Sequence, residues 1–282
     1  MTAATLEALP VGVHDHVPNA AYHADAAVGS TTLRNLLDPA KAGLFDEHGH
    51  VHMETTDAMR FGTLLHSIVL EADDQQVVVL PYQEFRTKEA KTARDEVLAA
   101  GNIPLKTTEW LQLCDVRDAI LAHPFAKALL TGGVSEQTLI SEDAETGLRI
   151  KARPDHRTAF IADLKTCRDA NPATVERRTI PDYGYQQAAA HYQQIVADTV
   201  TNGEHLPFYL VNVEKTAPYR VSVVEIGDQY LEDGRARNRR ALDLYAHGLA
   251  TGEWPTWPDT YTAEPPTWLT TQTQDLTNEQ EA

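Results

Sequence analysis

The stretch Asp155-His156-Arg157-Thr158-Ala159-Phe160-Ile161-Ala162-Asp163-Leu164-Lys165 decides the reading of this chain. Residues 158–166 carry the alternation of a β-strand, whose successive side chains leave opposite faces. Phe160, Ala162 and Leu164 share one face, fit for burial under a helical layer, and Ile161, Asp163 and Lys165 share the other. Two opposite charges beside one apolar residue are costly in a core unless they pair or hold an ion. Taken alone, an Asp-x-Lys at a strand end is an ordinary surface pair. Asp155 shifts that balance, because it closes the preceding segment and a tight turn can bring it to the same edge. Two carboxylates and an ammonium group there can hold a hard divalent cation beside a water, which points to phosphodiester hydrolysis.

The 282 residues suffice for one large α/β domain or two small ones. No apolar run approaches the roughly 18 residues that cross a membrane, and the N-terminus lacks a basic region before a hydrophobic core. Cys114 and Cys167 are distant from each other, as in a reduced compartment, and are too few for an iron–sulfur cluster. A cytoplasmic protein is expected. The formal net charge of −17 argues against indiscriminate nucleic-acid binding. Charge acts locally, however, and Arg149, Lys151, Arg153 and Arg157 precede the acidic pair. Arg168, Arg177 and Arg178 follow it, with Arg235, Arg237, Arg239 and Arg240 later. Each cluster alone reads as solvated surface; together they favour a nucleic-acid substrate.

The pattern predicts a largely irregular segment over 1–30, then a short helix from Ser30 to Pro39 with Leu33, Leu36 and Leu37 on one stripe. A second helix carries Phe61, Leu64, Leu65, Ile68 and Val69, and 76–81 reads as a short buried strand. Helices are expected over 86–100 and, with a break near His123-Pro124, over 109–130. Three strands follow at 135–141, 148–155 and 158–166, then a helix from Pro181 to about Thr199. A strand pair at 207–214 and 218–226 and a helix over 228–250 complete one domain ending near 258. Residues 259–282, rich in Thr, Gln, Glu and Pro, are expected to be disordered. The order is that of an α/β fold, a central mixed β-sheet flanked by helices. His48, His50 and His52 alternate as metal ligands can, but their Gly-containing, acid-flanked setting reads as a surface loop.

Arg153-Pro154-Asp155 followed by Asp163-Leu164-Lys165-Thr166 resembles the PD-(D/E)XK nuclease signature, and hence a single restriction-endonuclease-like domain. The string from Gly147 to Asp155 with Ala162 to Thr166 is similar to the exonuclease VIII (RecE-type) branch of phages and prophages. Tyr22-His23-Ala24-Asp25 with Ser30-Thr31-Thr32-Leu33, Phe61-Gly62-Thr63-Leu64-Leu65-His66, and Val213-Glu214-Lys215 with Pro218-Tyr219 extend that resemblance from about residue 20 to 258. It implies that Asp155, Asp163 and Lys165 are catalytic, with Asp155, Asp163 and His66 as metal ligands and Glu136 as a further candidate. His66 by itself would read as a core histidine, and Glu136 as an exposed acid. The resemblance also places Arg153, Tyr185, Gln187 and Tyr192 toward DNA.

One position departs from the pattern. The family carries Gln four residues before a Tyr on the helix after the catalytic strand, where this chain has Ala188 before Tyr192. Gln187 is adjacent but turned about 100° around a regular helix. The activity implied is a Mg²⁺- or Mn²⁺-dependent exodeoxyribonuclease acting on double-stranded DNA ends, 5′→3′, in phage-type recombination. A single-strand annealing protein would be its partner and a ring-shaped homo-oligomer its assembly, in the cytoplasm of a bacterial host. The alternatives are a catalytically weakened DNA-end or protein-binding module of the same fold, and an endonuclease.

Overall fold

The computed structural model describes residues 8–42, 44–45, 57–71 and 77–272. The His48-His50-His52 run lies outside them. The chain opens with β1 (Gly12–His14), α1 (Asn19–Ala24), α2 (Ser30–Leu36) and α3 (Pro39–Ala42). Next come α4 (Asp57–His66), prolonged by a π turn over Ser67–Glu71, then β2 (Val77–Leu80), α5 (Lys88–Ala99) and β3 (Ile103–Lys106). The helices α6 (Thr107–Ala122) and α7 (Pro124–Leu129) lead into β4 (Val134–Ser135), β5 (Thr138–Glu142), β6 (Arg149–Ala152), β7 (His156–Arg157) and β8 (Ile161–Cys167). After β8 come α8 (Pro172–Thr174), a π turn over Val175–Thr179, α9 (Ile180–Tyr183) and α10 (Tyr185–Thr199). The strands β9 (Phe208–Glu214) and β10 (Val221–Glu225) and the long α11 (Asp228–Thr251) close the domain.

A five-stranded mixed sheet, in the order β10-β9-β8-β7-β4, lies at the centre. Its β8 and β9 run parallel and the other pairs antiparallel. Helices cover both faces, as an α/β fold requires. Ile161, Phe208 and Leu210 pack on one side with α2, α10 and α11. Ala162, Leu164, Val211 and Val213 pack on the other with residues of α4, α6 and α7. The alternation expected along β8 is the one observed.

Two smaller sheets differ from the expectation. β5 and β6 leave the central sheet and pair with β1. The strand expected over 135–141 is therefore two, β4 in one sheet and β5 in the other, with Glu136 at the corner in a left-handed conformation (φ 50°). The segment at 76–81 is half-buried, not buried, and pairs in parallel with β3, a strand hidden in the sequence by Pro104. The helix from Pro181 is broken at Gly184, whose φ of 65° ends α9 and starts α10. The break after α6 has a local cause: Pro124 cannot continue the helix, and His123 Nδ1 accepts from the Ala126 amide at 3.1 Å to cap α7.

The N-terminal segment, expected to be irregular, is bound to β6 by the basic cluster itself. Arg149 donates to the Leu9 carbonyl and pairs with Asp25 at 3.3 Å. Lys151 Nζ donates to the Tyr22 and Asp25 carbonyls, each at 2.7 Å. Arg153 donates to the Val17 carbonyl at 2.9 Å and lies over the Tyr22 ring. Arg149 and Lys151 share one face of β6 and Arg153 follows just beyond its end, and their donors satisfy carbonyls that an extended polar segment would otherwise leave open. Residues 259–272 are exposed, with helix at 267–272.

His191, on the sheet-facing side of α10, donates from Nε2 to the Lys151 carbonyl at 3.0 Å, and burial lowers its pKa to about 4. Between that value and about 6.5 the unfolded chain takes a proton that the folded chain refuses. Stability from this group is therefore full above about pH 6.5 and falls, by up to about 3 kcal/mol, as pH drops to 4. His191→Gln retains a donor without a titration. Urea midpoints at pH 7 and pH 4.5 should converge in that variant, and equal pH slopes for parent and variant would refute the assignment.

Candidate active site

β7 is only two residues long and pairs with Ile161 and Ala162. Beyond it, the backbone of Leu164 on β8 has no strand partner on that side among the described residues, and two side chains take its place. Asp155 Oδ2 accepts from the Leu164 amide at 2.7 Å, and His66 Nε2 donates to the Leu164 carbonyl at 2.9 Å. The missing strand thus fixes Asp155, from the turn before β7, against His66, from the last turn of α4. Glu136 joins them from the corner between β4 and β5, its amide donating to the Asp155 carbonyl at 3.2 Å.

One ligand atom each from His66, Glu136 and Asp155 lies within 4.8 Å of the others. His66 stands 3.5 Å from Glu136 and 3.6 Å from Asp155. Burial works against the charged imidazole, but Asp155 and Glu136 outweigh it and raise the pKa of His66 to about 9. One nitrogen and two carboxylate oxygens converging on one point are a donor set for a divalent cation.

Asp163 and Lys165 sit beside this triad on the β8 face turned toward α10. Asp163 is outside the group of close ligand atoms, its carboxylate bound to the Lys165 ammonium. Burial, aided by the nearby Asp155, raises the pKa of Asp163 to about 6, although Lys165 opposes the shift. Burial would lower the pKa of Lys165, but Asp163 and Asp155 overcome it and hold the ammonium charged far above neutrality. Lys165 thus stands as a cation paired with Asp163.

A cleft of about 580 Å³ opens onto His66, Glu136, Asp155 and Tyr192. Its opposite wall is the N-terminal segment, with His16, Tyr22 and His23. The sequence did not mark these three as cleft residues, since the segment has no periodicity to place it against the site. Arg153 lines the cleft while its guanidinium is held by Thr138 and Val17. Tyr192 reaches the site from α10, and Tyr185 lies under Lys165, its ring centroid 5.6 Å from Nζ. Gln187 is buried, its Oε1 near Gly184 and its Nε2 without a hydrogen-bond partner among the described residues, and α10 is regular throughout.

Glu136 stores strain for its position. A left-handed backbone costs a side chain other than Gly about 1–2 kcal/mol. Glu136→Gly should therefore leave thermal stability unreduced while weakening Mn²⁺ binding at least about tenfold. Calorimetric Mn²⁺ titration beside a melting curve tests both, and parental affinity in the variant would remove Glu136 from the site.

Asp155 from a turn, Asp163 and Lys165 from β8, Glu136 from a corner and His66 from α4 are thus gathered at one strand edge. A family model described as a PDDEXK-like domain of unknown function (DUF3799) matches residues 29–260. The chain belongs to this family. The crystal structure of a "Putative exonuclease" from Eubacterium rectale is similar in fold, with a TM-score of 0.59 and 15% identity over 92% of this chain and 98% of that one. That of SSO0001 covers 68% of this chain and 86% of the other at 15% identity, and its TM-score of 0.28 carries no weight. Among curated proteins, none matches the sequence. The family membership accords with the fold and the PD-(D/E)XK resemblance read from the sequence. No helix among the described residues is long and apolar enough to cross a membrane.

Proposed function

We propose that this PDDEXK-like protein is a Mg²⁺- or Mn²⁺-dependent exodeoxyribonuclease acting from the ends of double-stranded DNA. The observation that carries the reading is the gathering of His66, Glu136, Asp155, Asp163 and Lys165 around the unpaired edge of β8. His66, Glu136 and Asp155 would hold the cation, with Asp163 next to them. When bound, a divalent cation lowers the pKa of a water and neutralises charge building on the phosphate. Lys165, kept charged by Asp163, presents a donor to a phosphate oxygen and stabilises the same developing charge. Tyr192 lines the cleft, and Tyr185 lies against Lys165 on the same helix, α10.

The similarity to a protein named as an exonuclease favours end-dependent cutting over internal cutting. The motifs similar to the RecE-type branch support 5′→3′ polarity, a role in phage-type recombination and a single-strand annealing protein as partner. They also support a ring of subunits in the cytoplasm of a bacterial host. A second reading rests on the buried Gln187, whose orphaned amide does not stand where the family Gln would. In that reading the fold binds DNA ends and cuts them poorly.

End-labelled linear duplex and covalently closed circular DNA, each with Mg²⁺, Mn²⁺ or EDTA, separate these readings. Metal-dependent loss of the linear DNA alone is the expected result. Cutting of the circle indicates an endonuclease, and tight end-binding without cutting indicates the weakened module.

A further inference from the structure

Tyr183 is a large aromatic side chain left 58% exposed beside a buried ionic site. Its ring stacks on Tyr185 with centroids 5.6 Å apart and planes 19° from parallel. Tyr185 in turn has the Lys165 ammonium 5.6 Å from its centroid. The three groups make a staircase: charged donor, covered ring, outer ring. The backbone fixes that arrangement. Gly184 takes its left-handed turn between the two tyrosines, and a Cβ there would stand 2.8 Å from Arg34 Cδ. Arg34, from α2, donates to the Tyr183 carbonyl at 2.7 Å. Exposed Arg177 and Arg178 precede Tyr183 on the same run of helix.

A pre-stacked pair of rings leaves the outer face of Tyr183 open to solvent. That face matches the flat face of a base, which stacks on aromatic side chains irrespective of sequence. We propose that Tyr183 and Tyr185 form a stacking platform for an unpaired nucleobase of the strand being cut, next to the phosphate facing Lys165. This rests on the nuclease reading and deepens it. Tyr183 and Tyr185 lie on the Lys165 side of β8, outside the lining of the cleft over His66, Glu136 and Asp155, and a terminal base that reaches them has left its stack. Unstacking costs a few kcal/mol, and a waiting aromatic face returns part of that cost.

The test is a cycle between protein and substrate. Parent and Tyr183→Ala are compared on linear duplex DNA with intact ends and on the same duplex carrying abasic residues at the terminal positions, with Mn²⁺. Tyr183→Ala should lower kcat/KM on intact ends by roughly 5- to 150-fold. Abasic ends should penalise the parent by a similar factor and the variant hardly at all, and Tyr183→Trp should restore the parental value on intact ends. If Tyr183→Ala cuts intact ends at the parental rate, or abasic ends penalise both proteins equally, the platform is overturned while the nuclease stands. If the parent neither cuts nor binds DNA under any of these conditions, both fall together.

Discussion

Lys165→Ala is expected to lower the rate of DNA hydrolysis by about 10²- to 10³-fold, the usual cost of removing one preorganised donor of transition-state charge. The same change acts on stability through Asp163. That carboxyl is buried, and even with the ammonium beside it burial and Asp155 raise its pKa to about 6. Without Lys165 it loses the partner that opposes the shift, so its pKa moves further up. A carboxyl whose folded pKa lies above its unfolded value stabilises the fold at low pH and loses that contribution as pH rises through the folded value. Lys165→Ala should therefore melt closer to the parent at pH 5 than at pH 8. An uncompensated buried charge costs about 3–5 kcal/mol, whereas removing both partners is far less damaging. The double variant Asp163→Asn, Lys165→Met should regain stability at pH 8 and remain inactive. Melting curves at both pH values and steady-state cleavage of linear duplex measure the two effects separately. Parental cleavage by Lys165→Ala would falsify its role.

Gly234→Val should unfold the domain earlier by about 3 kcal/mol or more, and reduce cleavage as well. Gly234 lies on α11 where it crosses α10, and a Cβ there would stand 2.2 Å from the Gln186 carbonyl oxygen and 2.9 Å from Ala190 Cβ. The two helices meet nearly backbone to backbone, so added carbon atoms must push them apart; overpacking a core commonly costs about 1–3 kcal/mol, more when backbone must move. At this chain length each kcal/mol corresponds to roughly 2–4 °C in Tm, so a fall near 10 °C is the expected reading. The loss reaches function because α10 carries Tyr185 and Tyr192 to the face of β8 that bears Asp163 and Lys165. Gly62 offers the contrast. It lies inside α4 and its added Cβ would meet nothing within 4 Å. Gly62→Ala should stabilise the protein by about 0.5–1 kcal/mol through helix propensity alone. A Tm for Gly234→Val equal to the parent's would deny the close crossing.

The elements legible in advance were those with local causes. The alternation through Phe160–Lys165 appears in the structure as two packed faces, because a strand's period of two is independent of its neighbours. The break at His123-Pro124 followed from proline's missing donor. Harder elements depended on remote partners. β3 is four residues containing Pro104 and exists through its pairing with β2. β1 exists through its pairing with β5, and the segment around α1 is held by Arg149, Lys151 and Arg153, more than a hundred positions later. That cluster by itself read as solvated surface, and Arg149, Lys151 and Arg153 serve carbonyl groups of the N-terminal segment instead.

By itself, then, the sequence determined the chemistry available at the site: which acids, which lysine and which histidine, and the strand that places Asp163 and Lys165 on one face. Side-chain type and strand period are local properties, and they survive without coordinates. Only the tertiary structure decided which of these groups meet. It set Asp155 and His66 on the unpaired backbone of Leu164, where β7 ends too soon to cover it. It brought Glu136 inward through a left-handed corner between two sheets, and it turned Asp163 to Lys165. The Asp155…Asp163-x-Lys165 stretch names the participants, and the free edge of one strand assembles them, because a buried amide and carbonyl must find partners wherever the chain can supply them.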